Sequence, residues 1–396
     1  MKTTILRATL AIMLCTIAVR GWAQDEYIIN ENFSDYPSNN PNLTEYNNWI
    51  VRGCRQGMNG TWNNPSLKVE NYIKGNKTEI GYAITPPLNY TGDVIIEFEY
   101  ARGTSKSSTI DITIQNGGTF ENSLNRNSII VTTGSQAAFY SESYIILNTT
   151  EATTIMFSEQ NIDNTFAIDN VKVTKIPVIP LKEFSSNSST IEENATKTVT
   201  VNTVRTLTGG IWNTLCLPFN VTKSNLEQTL GTDVQLRTFT GYADNVMAFT
   251  PANEIPAGTP FLIKLNTTVE NPTFHAVTIS DAPAATVTIG DVSFVGTYSP
   301  VDLETDGTEL FITKNNTLSV PAETTNTMNG LRAYIRVPGT FNPSAARLAI
   351  DEPTAIPAIN ADRPGRSAAV YGLSGRQVAH PRRGLYIVGN RLTFIK

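Results

Sequence analysis

The chain has 396 residues and a formal net charge of −5, with only 16% Asp, Glu, Lys and Arg, two histidines and three cysteines. That length holds two or three domains; the acidic balance argues against nucleic acid as a partner, and so few cysteines exclude a disulfide framework. The polar residues are mostly Asn, Thr and Ser, which suit strands and turns better than exposed helices and predict an all-β chain.

In chain order, residues 1–23 place Lys2 and Arg7 ahead of an apolar run and end in Gly21-Trp22-Ala23, with small residues at −3 and −1 of a cut before Gln24. This is the pattern of a cleavable signal peptide. The run is too short for a stable span, which needs about 20 apolar residues, and Leu14 is too bulky to precede a lipidated Cys15. No transmembrane segment is expected in the mature protein, which should be exported and soluble or surface-attached. Removing the +3 of Lys2, Arg7 and Arg20 and the +7 of the tail from −5 leaves −15 for residues 24–362.

Residues 24–176 read as a β-sandwich domain, opening with YIINENFSDYP and closing with FAIDNVKV. In VIIEFEY the two-residue period sets Glu97 and Glu99 on one face and Ile96, Phe98 and Tyr100 on the other. Such a carboxylate pair is the arrangement of a retaining glycosidase, with Asp111 of TIDITI as a third acid from a neighbouring strand; a solvated strand face is the simpler alternative. In WIVRGCRQGMNGTWNNPS, a Gly- and Asn-rich loop presents Trp62 with Arg55, Asn59 and Asn63, an aromatic face beside sugar-bonding groups. Trp62 folded back on the sandwich edge is the competing reading, and Trp49 in its apolar run is core.

The opening ENF-x-x-Y and closing A-x-DNV-x-V resemble the jelly-roll modules of secreted bacterial proteins, related to carbohydrate-binding and galactose-binding-like domains. In such folds the first and last strands pair, which implies that Glu31 lies close to Asp169 and Asn170. Those oxygens suit a structural Ca2+, a cation that takes six to eight hard ligands; the alternative is a plain turn at Asp169-Asn170 with Glu31 exposed.

Residues 177–193, with two prolines and a Ser/Asn run, read as a linker. Residues 194–351 form the second β-sandwich, with strands in GGIWNTLCLPFNV, EIPAGTPFLIK, FVGTYSP, LFITKNNTLSVP and GLRAYIRVP and one short helix over 223–230, capped by Ser224. Trp212 and Cys216 lie in a buried strand; Cys54 and Cys216 are expected as buried thiols in separate domains. These phrases resemble a β-rich domain common in Bacteroidota surface proteins, which implies class and location but no activity. His275, in TFHAVTI, is a half-exposed strand residue, and no G-x-S-x-G or H-E-x-x-H occurs.

Residues 352–396 begin with a proline-rich break and end in three short apolar runs, a small β-meander, carrying seven Lys or Arg and no acid from Arg363 onward. Tyr371, Leu373, Gly375, Val378, Pro381, Arg382, Arg383, Gly384, Tyr386, Ile387 and Val388 resemble the C-terminal sorting domains of Bacteroidota proteins exported by type IX secretion. That resemblance implies contact with secretion machinery and a place at the cell surface or beyond it. The expected architecture is therefore all-β: two sandwiches of jelly-roll or Ig-like type and a β-meander tail. The expected function is non-enzymatic binding of a glycan or of a host or surface protein. A jelly-roll glycoside hydrolase using Glu97 and Glu99, and a structural or adhesive subunit, are the alternatives.

Overall fold

The computed structural model describes residues 27–37, 43–56, 66–70, 72–74, 77–102, 108–131, 139–162, 165–350, 370–371, 378, 383–388 and 391–395. The signal segment, the loop with Asn59, Trp62 and Asn63, and much of 352–396 lie outside the described residues. Alternating apolar runs broken by turn residues produce strands throughout, as the composition predicts, with α-helix only at α1 (Ser188–Asn194) and α2 (Lys223–Leu230) among the described residues.

The first domain is a two-sheet sandwich. One sheet runs β11 (Thr119–Phe120), β13 (Tyr140–Thr149), β9 (Gly92–Arg102), β15 (Phe166–Lys175), β5 (Leu67–Val69) and β4 (Cys54–Gln56), with β1 (Tyr27–Glu31) also on β15. The other runs β12 (Arg126–Val131), β10 (Ser108–Gln115), β14 (Thr154–Glu159), β8 (Tyr82–Ile84), β3 (Trp49–Arg52) and β2 (Glu45–Tyr46), and β6 (Tyr72–Lys74) and β7 (Lys77–Glu79) form a separate pair. Val94, Ile96 and Phe98 of β9 join Ile110, Ile112 and Phe157 of the opposite sheet in one core. Trp49 belongs to that core, 1% exposed, with Phe33 edge-on to it at 5.1 Å.

One edge of β15 is shared. Its start, Phe166 to Ile168, pairs with β5, and its later half pairs with β1, with Glu31 opposite Val171. The first and last strands therefore do pair. Between the two partners the β9–β15 register slips, from Asp169 opposite Glu99 to Lys172 opposite Glu97, and Asn170 takes a left-handed conformation at φ 49. This is a β-bulge at the place where β1 and β5 abut, and bulges re-aim the side chains they carry.

The second domain is assembled from several small sheets. β16 (Val178–Lys182), β17 (Thr198–Val204) and β26 (Thr273–Thr278) form one. A second runs β19 (Trp212–Leu215), β24 (Phe261–Lys264), β21 (Gln235–Ala243), β22 (Val246–Pro251) and β34 (Arg347–Ala349). A third runs β27 (Thr286–Ile289), β28 (Val292–Thr297), β33 (Arg332–Arg336), β30 (Glu309–Ile312) and β31 (Leu318–Ser319). Short pairs join β18 (Thr206–Leu207) to β25 (Val269–Glu270), β20 (Val221–Thr222) to β23 (Glu254–Ile255), and β29 (Val301–Asp302) to β32 (Thr327–Met328).

Two main apolar clusters fill this domain, one around Phe219, Phe261 and Leu226, the other around Trp212, Phe249 and Phe294. The 177–193 segment carries β16, paired in parallel with β17, and α1, which buries Ile191. It packs as part of the second domain, where the sequence reads as a linker. The cap of α2 is Thr222, whose side chain accepts from the Asn225 backbone, and Ser224 stands within the helix. In the tail, β35 (Val370–Tyr371), β36 (Gly384–Val388) and β37 (Arg391–Ile395) make the expected antiparallel meander.

Candidate functional site

The bulge on β15 gathers acids. Asp169 is 3% exposed, and its one hydrogen-bond donor among the described residues is the Asn170 N–H, to Oδ1 at 2.8 Å. Burial pushes its carboxyl up to about 6, with the Glu99 and Glu31 carboxylates adding to the rise against that one bond. Asn170 Nδ2 donates to Glu99 Oε2 at 2.9 Å. Glu31 accepts from the Phe33 N–H at 2.7 Å and from Asn47 Nδ2 at 3.0 Å. The expected trio of Glu31, Asp169 and Asn170 is thus brought together, with Glu99 as a member the sequence did not supply. The donor set is all hard oxygen, and the buried acid lacks a compensating charge, which suits a divalent cation. Among the described residues, however, no three His, Cys, Asp or Glu side chains stand in ion-binding geometry.

Glu97 and Glu99 share the face of β9 turned from the core, with Phe98 inward, as the strand period requires. Glu97 is exposed and faces Lys172 and Ser143 across the strands; Glu99 faces Asp169 and Ser141. Asp111 cannot join them. It sits on β10 in the opposite sheet, 5% exposed, where it accepts from Ser128 Oγ at 2.6 Å, from Gln160 Nε2 at 2.8 Å and from Arg126 in an ion pair. The alternation of the sequence gives faces but not which sheet a strand enters.

Of the loop residues expected to meet a sugar, Trp62, Asn59 and Asn63 lie outside the described residues. Arg55 is on β4, half exposed, in an ion pair with Glu70, which Lys68 also approaches at 3.3 Å.

An aromatic strip on the β9–β13 pair was not read from the sequence. Buried Phe98 adjoins Tyr100, whose ring centroid is 5.8 Å from that of Tyr140, and Tyr140 reaches the surface at 39% exposure. Tyr144 lies along Phe98 at 6.3 Å. Burial raises the Tyr100 phenol, and the nearby Glu142 carboxylate raises it further. The signal was the alternation in Tyr140-Ser141-Glu142-Ser143-Tyr144, which places both tyrosines and the glutamate on one side of the strand.

At the seam between domains, Asp93 of β9 is 2% exposed. Its Oδ2 meets His275 Nδ1 at 2.7 Å and accepts from Thr200 Oγ1, and its Oδ1 accepts from the Asn148 N–H at 2.9 Å. Burial alone lifts a carboxyl, but here the bonds from His275, Thr200 and Asn148 outweigh it and hold Asp93 below the usual carboxylate range. His275 is the half-exposed strand residue expected, and it also bridges to Asp93 of the first domain. The register of β17 on β26 slips between Val199 and Val201, and Ala276 stands at φ 50, a bulge that re-aims the neighbouring side chain.

The chain matches no family model and no curated protein. Among solved structures it is similar to the K3 cleaved adhesin domain of Lys-gingipain from Porphyromonas gingivalis W83, at 12% identity over 38% of this chain and 99% of that one, TM-score 0.25. It is similar to a xylan-binding domain from Paenibacillus barcinonensis at 8% identity, over 39% of this chain and 97% of that one, TM-score 0.25. A family 35 carbohydrate binding module from Clostridium thermocellum aligns at 17% identity over 33% of this chain and 95% of that one, TM-score 0.22. Scores of this size carry no argument about function.

Proposed function

We propose that this is an exported surface protein without a catalytic role, whose first domain binds a glycan. The observation that carries the reading is Tyr140, 39% exposed where the Phe98–Tyr100 aromatic row leaves the core, with Glu142 beside it. Aromatic faces stack on sugar C–H bonds, and an adjacent carboxylate accepts from hydroxyls. Trp62 with Arg55, Asn59 and Asn63 is a second contact surface on the same reading. Against hydrolysis stands the setting of Glu97, an exposed acid on an outward sheet face opposite Lys172; a catalytic acid needs burial or a like charge to keep its proton at neutral pH. The β1–β15 junction holds Ca2+ through Glu31, Asp169 and Asn170, locking first strand to last. The sorting tail, with its +7 charge, directs export by a type IX-like route in a Bacteroidota-type cell.

The test is a glycan array with the intact protein and with Tyr140→Ala. Loss of a stacked ring should weaken binding roughly 5- to 10-fold, on the scale of about 1 kcal/mol for an aromatic contact. An array with no sugar signal overturns the reading. It then favours the protein-binding adhesive alternative, for which Ile130, 68% exposed on the edge strand β12, is the specific support.

A further inference from the structure

The two domains enclose a cleft of about 460 Å3, within the usual range of small-ligand sites. One wall is the turn after β11 and the end of β13; the other is α2 and the chain leading through β26. Two bridges brace it: the Asp93–His275–Thr200 cluster, and Gln228 Nε2 donating to the Glu121 carbonyl at 3.3 Å. Its walls are therefore set before any ligand arrives, and preorganisation of that kind favours binding.

The lining is unusual in its chemistry. Asn148, Asn220, Asn225, Gln228 and Asn271 bring five carboxamides to one space. Asn220 uses its oxygen on the Ala257 N–H at 2.8 Å, but the side-chain amides of Asn148, Asn225 and Asn271 have no protein partner among the described residues. A free carboxamide offers two donors and an acceptor, matching hydroxyl groups that each donate and accept. Glu121 and Glu270 add acceptors, and no lysine or arginine lines the space among the described residues. An anionic ligand would meet two carboxylates, and the one lining side chain able to take a positive charge, His275, already faces Asp93. We propose that this cleft is a binding site for a neutral polyhydroxylated ligand, a short segment of uncharged oligosaccharide, distinct from the tyrosine strip.

This inference rests on the glycan-binding reading, and calorimetry with the full chain separates the two. Asn225 and Gln228 are exposed positions of α2, where alanine is the best helix former, so Asn225→Ala with Gln228→Ala keeps the helix and costs the fold only the exposed Gln228–Glu121 bond, a small drop in melting temperature. Neutral and uronate-containing oligosaccharides are titrated into the wild type, into Tyr140→Ala, and into Tyr140→Ala carrying both helix substitutions. The expected result is that neutral binding survives Tyr140→Ala and then falls at least tenfold with the helix substitutions, while uronates bind no better. Binding that disappears in Tyr140→Ala alone, or that ignores the helix substitutions, overturns the cleft and leaves the strip standing. Preference for uronates overturns the assignment to neutral ligands. No sugar binding to the wild type overturns both.

Discussion

Replacing Asp169 by Asn should stabilise the metal-free protein above pH 6. The wild-type carboxyl is raised from 3.8 to about 6 in the folded state, so between those values the folded chain holds a proton that the unfolded chain has lost. Stability therefore falls as pH rises through this window and is level above it. About two units at 1.36 kcal/mol each set a ceiling of about 3 kcal/mol; relaxation and water penetration around a buried carboxyl reduce this to about 1–2 kcal/mol. Asn keeps the oxygen that accepts from Asn170 and turns an amide toward the Glu99 and Glu31 carboxylates. Thermal unfolding in EDTA at pH 4 and pH 7.5, read by hydrogen exchange in the first-domain strands, should show equal stability in acid. The variant should be roughly 2–8 °C ahead at pH 7.5, on the usual scaling for a domain of this size. Millimolar Ca2+ should reverse that order by stabilising only the wild type. A variant that is weaker at pH 7.5, or a difference that does not change with pH, would refute the electrostatic account.

Asp93 titrates in the opposite sense. Its folded value lies below 3.8, so its contribution is present above that pH and is lost as pH falls through the folded value; hydrogen exchange of β26 should accelerate in acid before the sandwich core opens, and Asp93→Ala should show the same acceleration at pH 7. Arg205 is 2% exposed and donates to the carbonyls of Leu331 and Thr214. Burial and the Arg332 charge pull it down to about 9. Arg205→Met removes a donor from both carbonyls, leaving Leu331 the Cys216 N–H, and should cost about 3 kcal/mol, seen as a melting point lower by roughly 6–12 °C. Cys54 and Cys216 are buried, and burial raises both thiols, Cys216 to about 12; neither should react with a thiol reagent at pH 8 until the chain unfolds, and rapid labelling of the native protein would contradict their placement.

Local pattern made the strands legible, because a two-residue period needs only neighbours. It gave the inward Phe98 and outward Glu97 of β9, the core position of Trp49 and the meander of the tail. The opening ENF and closing DNV phrases also brought Glu31 to β15. Hidden from that reading was anything decided by which strands become partners. Asp111 entered the other sheet, and the bulge at Ala276 turned His275 toward Asp93, 182 residues away. The cleft was hidden for a different reason. Its amides are scattered from Asn148 to Asn271, and in a chain this rich in Asn no single one stands out until two domains place them around a common space.

Asp93 and Asp169 show why burial alone does not distinguish a structural acid from a site. They are 2% and 3% exposed, so desolvation penalises both charges, yet their carboxyls move in opposite directions. The difference lies in the donors. Asp93 receives a histidine, a threonine hydroxyl and a backbone N–H, and its negative charge is already answered by protein. Asp169 receives one backbone N–H and has two further carboxylates as its charged neighbours. A buried charge that the fold answers holds elements together, whereas one left unanswered takes up a proton or a cation. By that criterion Asp93 fixes how the domains meet, and Asp169 is the buried acid whose charge the fold leaves unanswered.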